Sequence, residues 1–407
     1  MNGPLDGIRV ADLTTFLAGP FATQILADLG AEVIKVEPPA GDSSRHIPPH
    51  FVDGDSLYFH AVNRRKRSLA VDLKSAEGRE LVLDLVASCD ILIENYRPGQ
   101  LDRLGLGTDV LAARNPDLVI CSINGFGSTG PDRDRPAYDI VVQAASGVMG
   151  VTGEVEGRSV RLGVPLGDMG AGLYAVIGCL AALSARQGGH RGTQQVEVSM
   201  MDAQVSFLGY LAAYQLHAGG VQRQGRGHQS IATYHTFGCA DGRDVSVAAN
   251  TQAMWERLCT ALECTHLTAD PRFATAASRH AHTEVLRAEL ARSFGRFDAA
   301  TVADRLRRAD VPASVVKTIG EALADDLVAT TGILETVRTH DGTSLTVAGN
   351  PVVVDGRRSP DTPSTSPRLG DDTEDLARDL GRSDDAVRDL VRAGTLVTPT
   401  TTAGDPS

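Results

Sequence analysis

The sequence lacks the patterns of metal-binding, secreted and membrane-spanning proteins. Its six cysteines are scattered along 407 residues, with no Cys-x-x-Cys pair and no cysteine–histidine cluster at zinc spacing. It has no apolar run of about 18 residues that would predict a transmembrane helix, and residues 1–7 are too polar for a secretory signal. We therefore expect no metal, no membrane association and a reducing, cytoplasmic location.

The chain also lacks positive net charge. Its 39 lysine and arginine residues face 51 aspartate and glutamate residues, which gives a formal net charge of -12. This balance argues against nonspecific binding to nucleic acid or to an anionic membrane surface. An anionic small molecule would therefore need a local basic pocket. The length allows two domains of about 100–200 residues each.

Apolar strands alternate with helices in the first half of the chain. The predicted strands are Ile8–Leu13, Glu32–Glu37, Ser68–Leu73, Asp90–Glu94 and Leu118–Ile123. This alternation indicates an α/β fold, with a mainly parallel, Rossmann-like sheet covered on both faces. The loop after the first strand has no G-x-G-x-x-G sequence, so we do not expect a nicotinamide cofactor.

The best candidate for a domain boundary lies around residues 219–228, where the composition changes to glycine, glutamine and arginine. We predict the N-terminal part of a large Rossmann-like domain over residues 1–220 and a small α+β domain over 221–325. Residues 326–407 are predicted to return to the large domain and to end in a flexible tail.

Asp168 lies between glycines, just before the apolar run Leu173–Leu183. Glycines let a ligand or backbone come close, and a carboxylate at a helix N-terminus faces unpaired N–H groups. Two interpretations remain open at this point, an N-cap and a nucleophile, which would be ionised at neutral pH given the ordinary aspartate pKa of ~3.9. The run is apolar nearly all round and predicts a helix buried in the core.

Three basic or polar clusters precede Asp168 and lie next to predicted strands. They are Asn63–Ser68, Glu94–Gly99 and Asn124–Pro131. Each alone would be explained by a solvated loop. Together they offer cationic and aromatic side chains, and most of these lie at the carboxyl ends of strands. Ligands bind at these ends in open α/β sheets. They indicate a ligand with phosphates and a ring.

The ordered set of motifs resembles the family III CoA-transferases, also called the CaiB/BaiF family, which includes formyl-CoA:oxalate CoA-transferase. The resemblance covers nearly the whole chain. The matching motifs are Ala18–Pro20, Leu29–Glu37, Asn63–Ser68, Glu94–Gly99, Gly125–Gly127, Gly130–Pro131, Tyr138–Asp139, Gly167–Asp168, Met201–Ala203 and Pro367–Gly370.

The resemblance implies that Asp168 is the catalytic nucleophile and that a CoA thioester is a substrate, with no cofactor bound. The CoA-binding positions that it implies are Phe16, Leu17, Leu73, Asn95, Tyr96, Arg97, Arg103, Tyr138 and Met200. Relatives are interlocked homodimers in which a smaller α+β domain is inserted into the large domain, and the same assembly is expected here.

One position departs from the family pattern. Pro38 stands where formyl-CoA transferase has an arginine that helps to bind the nucleotide, and the sequence offers Arg45 or the run Arg64–Arg67 as replacements. Backbone amides of Gly125–Gly127, or near Gly225 and Gly227, are candidates for stabilising the oxyanions.

The implied reaction moves CoA from an acyl-CoA to a carboxylic acid through an aspartyl mixed anhydride and an aspartyl-CoA thioester. Succinyl-CoA is the expected donor and a small dicarboxylate the expected acceptor. Candidates for holding its second carboxylate are Arg45, His46, Arg226 and His228.

Two alternatives remain. One is an enzyme like α-methylacyl-CoA racemase, whose catalytic histidine aligns with Tyr138. The other is a CoA-binding protein without catalysis, against which the intact Gly167-Asp168 pair argues.

Overall fold

The computed structural model describes residues 3–360 and 364–399. By their contacts, these residues divide into two compact units. The first comprises 3–148, 162–212, 330–360 and 364–399, and the second comprises 149–161 and 213–329. The sequence analysis did not separate 149–161 from its neighbours. The predicted domain limits stay a prediction, and the end of the predicted tail, residues 400–407, lies outside the described residues.

The strands of the described residues are numbered in chain order. They are β1 Arg9–Leu13, β2 Glu32–Glu37, β3 Phe51–Val52, β4 Asp55–Ser56, β5 Lys66–Val71, β6 Ile91–Glu94, β7 Val119–Asn124, β8 Gln194–Ser199, β9 Tyr234–Gly238, β10 Asp244–Ala248, β11 Ala313–Val315, β12 Leu334–Arg338, β13 Ser344–Ala348 and β14 Leu396–Val397.

The helices are numbered in the same way. They are α1 Ala18–Asp28, α2 Leu57–Val62, α3 Ala76–Ala87, α4 Gln100–Arg103, α5 Thr108–Arg114, α6 Asp139–Ala145, α7 Val148–Val151, α8 Leu166–Gln187, α9 Met200–Phe207, α10 Tyr210–His217, α11 Gln252–Ala261, α12 Ala276–Ala281, α13 Thr283–Phe294, α14 Ala299–Arg308, α15 Ile319–Leu323, α16 Asp326–Thr331, α17 Thr373–Asp379 and α18 Asp384–Arg392.

A seven-stranded sheet organises the first unit, in the order β14-β5-β2-β1-β6-β7-β8. All neighbours pair in parallel except β14, which runs antiparallel to β5. Alternate strand residues enter two different cores, as Val10 and Ala11 do on β1, because successive side chains point to opposite faces. The predicted α/β fold with a parallel-dominated sheet is confirmed.

Helix α8 packs closely against α1 on one face of the sheet. A Cβ on Gly172 would lie 2.7 Å from the carbonyl oxygen of Ala18, so the contact requires glycine. The prediction that this helix is buried in the core holds for one side only. Ala175 and Cys179 lie in the core, whereas Leu173 and Ile177 are 47% and 59% exposed. By length and mean hydropathy, 1.6 over 18 residues, α8 would be able to cross a membrane, yet 50% of that stretch is buried inside the fold.

The second unit contains a three-stranded antiparallel sheet in the order β11-β10-β9. Helices α11, α13 and α14 supply much of its separate core, in which Trp255, Phe273 and Phe294 are fully buried. This unit therefore has an apolar core of its own.

A buried ionic network crosses the first unit beneath β1. Asp12 on β1 accepts hydrogen bonds from Thr23 and from Lys66 Nζ, at 2.7 and 3.1 Å. Burial alone would raise the pKa of Asp12, but Lys66, Lys35 and two threonine hydroxyls lower it to about 2. Burial lowers the pKa of Lys66 to about 8 in spite of its carboxylate partner.

The cationic run Arg64–Arg67 is therefore structural. Arg64 and Arg65 pair with Asp28 and Glu335, and Lys66 pairs with Asp12. Arg67 pairs with Glu32 and Asp372. The run lies at the amino end of β5 rather than at a carboxyl end. Its role as a source of charge for a nucleotide stays a prediction, and these ion pairs weaken it because the carboxylates already offset the positive charge.

We predict that Asp12→Asn lowers the free energy of unfolding by about 3–5 kcal/mol, because it leaves the Lys66 ammonium buried without a carboxylate. Urea denaturation followed by circular dichroism measures the loss. Asp385→Asn is the matched control, since it breaks an exposed pair with Arg388 and should change stability little. Equal, small effects of the two substitutions would show that the network is not stabilising.

Candidate active site

Asp168 is the third residue of α8, and it is not the N-cap. The helix starts at Leu166 after Pro165, which occupies the N-cap position and offers no side-chain hydrogen bond. The N-cap interpretation of Asp168 is therefore wrong. Among the described residues, none forms a hydrogen bond or ion pair with the half-buried carboxylate of Asp168. The described part of the fold therefore does not use its oxygens as hydrogen-bond acceptors.

Asp139 caps α8 in place of Asp168. Its Oδ1 accepts a hydrogen bond from the backbone N–H of Gly167 at 2.8 Å, and its Oδ2 accepts one from Gln143 at 2.7 Å. Side-chain oxygens commonly satisfy the first N–H groups of a helix. A Cβ on Gly167 would lie 2.3 Å from Gln204 Nε2 and 3.0 Å from Asp139 Oδ1. Glycine at 167 thus permits the close approach of the capping carboxylate.

The environment of Asp168 shifts its proton affinity strongly. Burial, and then the negative charge of Asp139, raise its pKa from 3.8 to about 7. We expected a fully ionised carboxylate at neutral pH. With a pKa of about 7, Asp168 is instead partly protonated there. A more basic carboxylate is also a stronger nucleophile in its ionised form.

The loop between β1 and α1 carries Phe16, whose ring packs against two tyrosines. The ring of Phe16 lies edge-on to Tyr58 and Tyr138, with centroid distances of 5.9 and 5.8 Å. Phe16 has φ 69°, a left-handed conformation, and its N–H donates to Asp42 Oδ1 at 3.2 Å. Such a conformation is costly for a bulky residue and points to a functional loop.

The sequence analysis missed Tyr58. Burial, followed by the charges of Asp168, Asp42 and Asp139, raises the pKa of its phenol. This electrostatic coupling places Tyr58 in the same neighbourhood as Asp168. No spacing in the sequence marks it, because it lies on α2, far along the chain from Asp168.

Asn95 holds the Phe16 loop in place. Its Oδ1 accepts from the N–H of Thr15 at 2.9 Å, and its Nδ2 donates to the carbonyl of Thr15 at 2.8 Å. Leu17, the next loop residue, is the N-cap position of α1. The structure thus gives Asn95 a positioning role, and contact with CoA stays a prediction for both residues.

The other predicted CoA-binding residues differ in exposure. Leu73 and Tyr96 are half-buried against one core cluster, and Arg97 and Arg103 are exposed. Tyr138 is 63% exposed, whereas Met200 is 6% exposed within the core around α1 and α8. The carboxyl ends of β5 and β6 therefore carry four of these residues, and Met200 offers little surface.

Two of the predicted polar clusters meet at one edge of the sheet. A cavity of about 430 Å³ is lined by residues from both, including Glu94, Tyr96, Arg97 and Asn124. Burial raises the pKa of Glu94 to about 7. The expectation that loops after neighbouring parallel strands lie together holds here.

The candidates for carboxylate and oxyanion contacts lie in different places. Arg45 is buried and pairs with Glu37 at 2.8 Å and with Asp55 at 2.6 Å, so neither the nucleotide nor a second carboxylate can use it. Arg226 pairs with Asp244, and the ring of His228 lies 5.7 Å from Tyr234.

The remaining candidates are one histidine and two pairs of glycines. His46 is exposed, with Nε2 3.4 Å from the carbonyl of Ala40. Gly125 and Gly127 belong to the first unit and Gly225 and Gly227 to the second. Their roles stay predictions.

The sequence matches the family model described as CoA-transferase family III over residues 5–373. The chain belongs to this family. It is 38% identical over 361 residues to succinyl-CoA:mesaconate CoA-transferase of Haloarcula hispanica. This match covers 86% of this chain and 90% of that protein. It is 34% identical over 394 residues to human succinyl-CoA:glutarate CoA-transferase, over 96% of this chain and 89% of that protein.

A solved structure supports the same family assignment. The crystal structure of a CaiB/BaiF family protein from Brucella suis is similar with a TM-score of 0.82 and 36% identity, over 93% of this chain and 100% of that chain. The recognition of the family from its motif order is confirmed, and the protein is an enzyme of the CoA-transferase class.

We predict that Asp168→Asn stabilises this family III CoA-transferase more at about pH 8 than at about pH 4.5. The pKa of Asp168 is higher in the folded than in the unfolded protein. Between about pH 4 and about pH 7 the unfolded state therefore ionises first, and the free energy of unfolding falls as the pH rises. Asparagine does not ionise, so it removes this loss. Thermal melting at both pH values measures the difference. Asp132→Asn, on an exposed loop, is the control, and an equal change in melting temperature at the two pH values would refute the shifted pKa.

Proposed function

We propose that this enzyme transfers CoA from an acyl-CoA donor to a carboxylic acid through covalent bonds to Asp168. The observation that carries the proposal is a half-buried carboxylate, free of protein hydrogen bonds among the described residues, in the first turn of α8. The family assignment supports the reaction class. The positive end of α8 stabilises charge that develops on this residue.

In the first half-reaction, a carboxylate oxygen of Asp168 attacks the thioester carbonyl, and the carbon–sulfur bond breaks. This gives a mixed anhydride and CoA thiolate. The thiolate attacks the carbonyl carbon of Asp168, forms a thioester there and expels the donor acid. The acceptor carboxylate then attacks this thioester, and the returning thiolate attacks the acceptor acyl carbon and restores Asp168. Water must stay excluded, because both intermediates hydrolyse downhill.

Asp139 has two effects on this cycle. Its hydrogen bond to Gly167 fixes the turn that carries Asp168, and its charge raises the pKa of Asp168. The nucleophile is thereby positioned and made more basic. Tyr58 and Tyr138, both packed on Phe16, border the space where the acyl group would lie.

The substrates that we propose are succinyl-CoA and a small dicarboxylic acid. Two relatives support this choice, since their names give succinyl-CoA as donor and mesaconate or glutarate as acceptor. The racemase alternative lacks support, because Tyr138 replaces the histidine that it requires and these relatives are named as transferases.

We further propose an interlocked homodimer located in the cytoplasm. Apolar side chains on one surface of the first unit support the dimer, because Leu173, Ile177, Val205 and Phe207 are 41–59% exposed on α8 and α9, and a second copy would cover them. All six cysteines are free and buried, in keeping with a reducing compartment. Sedimentation as a monomer would refute the dimer.

We predict that Asp168→Asn lowers kcat for CoA transfer at least about 10³-fold, because the amide is not a nucleophile. Mass spectrometry of new thioesters, from succinyl-CoA offered to a panel of mono- and dicarboxylic acids, measures the activity. Asp132→Asn should retain it. Rapid deuterium exchange at the α-carbon of a branched acyl-CoA without any acceptor acid would instead favour a racemase.

We also predict that kcat/KM rises with pH around about pH 7 as Asp168 loses its proton. Asp139→Asn should move this midpoint to lower pH, because asparagine can still accept the Gly167 hydrogen bond but carries no charge. Steady-state rates across pH measure the midpoint. An unmoved midpoint in this variant would show that Asp139 does not tune the nucleophile.

A further inference from the structure

Two fully buried glutamines lie near the first turn of α8. Gln143 on α6 and Gln204 on α9 are each 0% exposed. Both ends of the Gln143 amide are hydrogen-bonded, because its Nε2 donates to Asp139 Oδ2 at 2.7 Å and its Oε1 accepts from the N–H of Leu162 at 2.8 Å. Buried polar side chains are normally satisfied in this way.

Gln204 is satisfied at only one end of its amide. Its Oε1 accepts from the Ser146 hydroxyl at 3.0 Å, whereas its Nε2 has no hydrogen-bond partner in the part of the chain that the structure describes. Met200 and Ala203, its neighbours on the same face of α9, are apolar and buried. A buried donor without a partner costs free energy that an apolar side chain would not, so packing alone does not explain a glutamine at 204.

The unpaired Nε2 group faces the turn that carries Asp168. A Cβ on Gly167 would meet Nε2 at 2.3 Å and Asp139 Oδ1 at 3.0 Å, so the amide nitrogen and this carboxylate oxygen approach the same side of Gly167. The reverse orientation of the amide would turn Oε1 toward the carboxylate, where two acceptor oxygens repel each other. The positive end of the amide dipole is therefore directed at the acidic turn.

We propose that Gln204 is a positioning residue for the reaction, which braces the Gly167 turn beside Asp139 and directs an amide dipole that favours the ionised form of Asp168. This inference rests on the proposed function, in which Asp168 must be ionised to attack the thioester. Burial and the charge of Asp139 act in the opposite direction, since both raise the pKa of Asp168. An oriented dipole acts more strongly inside a protein than in water, because the local dielectric constant is low. Gln204 thus offsets part of the effect of Asp139.

The titratable groups around Asp168 come from several elements. Asp139 on α6 raises its pKa, and the charge of Asp168 acts in turn on Tyr58 of α2. Among the elements that pack against α8, α9 carries Asp202, which is exposed, and the first turn of α1 has no acidic residue. Glu197 on β8 is held by hydrogen bonds from β7 and from the loop after it. Asp139 is therefore the acid whose charge Gln204 is placed to offset.

The test compares Gln204→Met, which keeps the length of the side chain and removes the dipole, with Gln187→Met at the exposed end of α8 as the matched control. Steady-state rates across pH give the midpoint of kcat/KM. We expect Gln204→Met to raise this midpoint by about half a pH unit, so that kcat/KM falls about 3-fold at about pH 6 and is retained at high pH. Ser146→Ala frees Oε1 and lets the amide turn, so it should cause a smaller shift in the same direction. Gln187→Met should leave the midpoint unchanged.

A carbon-13 NMR titration of the Asp168 carboxyl gives its midpoint without relying on activity, with the resonance assigned from its absence in Asp168→Asn. We expect this midpoint to rise in Gln204→Met. An unshifted or lowered carboxyl midpoint overturns the inference while the transferase proposal stands, even if the variant melts at a lower temperature. A raised carboxyl midpoint with an unshifted rate profile would instead refute the covalent role of Asp168, on which the inference rests. If Gln204→Met does not fold, the carboxyl midpoint of Ser146→Ala decides between these outcomes.

Discussion

The hydrogen bond from the Gly167 N–H to the Asp139 carboxylate is the contact on which the candidate active site depends. A carboxylate from α6 accepts a hydrogen bond from a backbone N–H in the first turn of α8. Asp168 therefore does not have to cap this helix. The hydrogen bond also brings two carboxylates close together, which raises the pKa of Asp168 beyond the effect of burial. Positioning and electrostatic tuning of the proposed nucleophile therefore arise from one contact.

The sheet supports this site through buried charge. Lys35 on β2 pairs with Asp42 at 2.8 Å and donates to the carbonyl of Thr14 at 2.9 Å, and Asp42 in turn accepts from the N–H of Phe16. A buried ion pair is costly unless its partners are fully satisfied. This one fixes the loop that carries Phe16, so the network beneath β1 defines the aromatic side of the site.

The sequence allows the fold to be predicted because alternating buried strands and helices leave a strong local pattern. It makes Asp168 a candidate because glycines surround this residue within an ordered set of motifs, and its role stays a prediction. The cap could not be predicted, because Asp139 lies 28 residues away from Gly167. The ion pairs of the run Arg64–Arg67 could not be predicted for the same reason, because its partners Asp28 and Glu335 are distant in sequence. The exposed side of α8 carries apolar residues like those of the buried side, so composition could not distinguish them.

The central claim is that Asp168 carries CoA covalently during the reaction. The most direct measurement is peptide mass spectrometry after incubation with acyl-CoA and reduction with borohydride, which converts an aspartyl thioester to homoserine. We predict homoserine at residue 168 and at no other carboxylate, formed only when acyl-CoA is present. An unmodified Asp168 in enzyme that is actively transferring CoA, or modification of a different carboxylate, would contradict the mechanism.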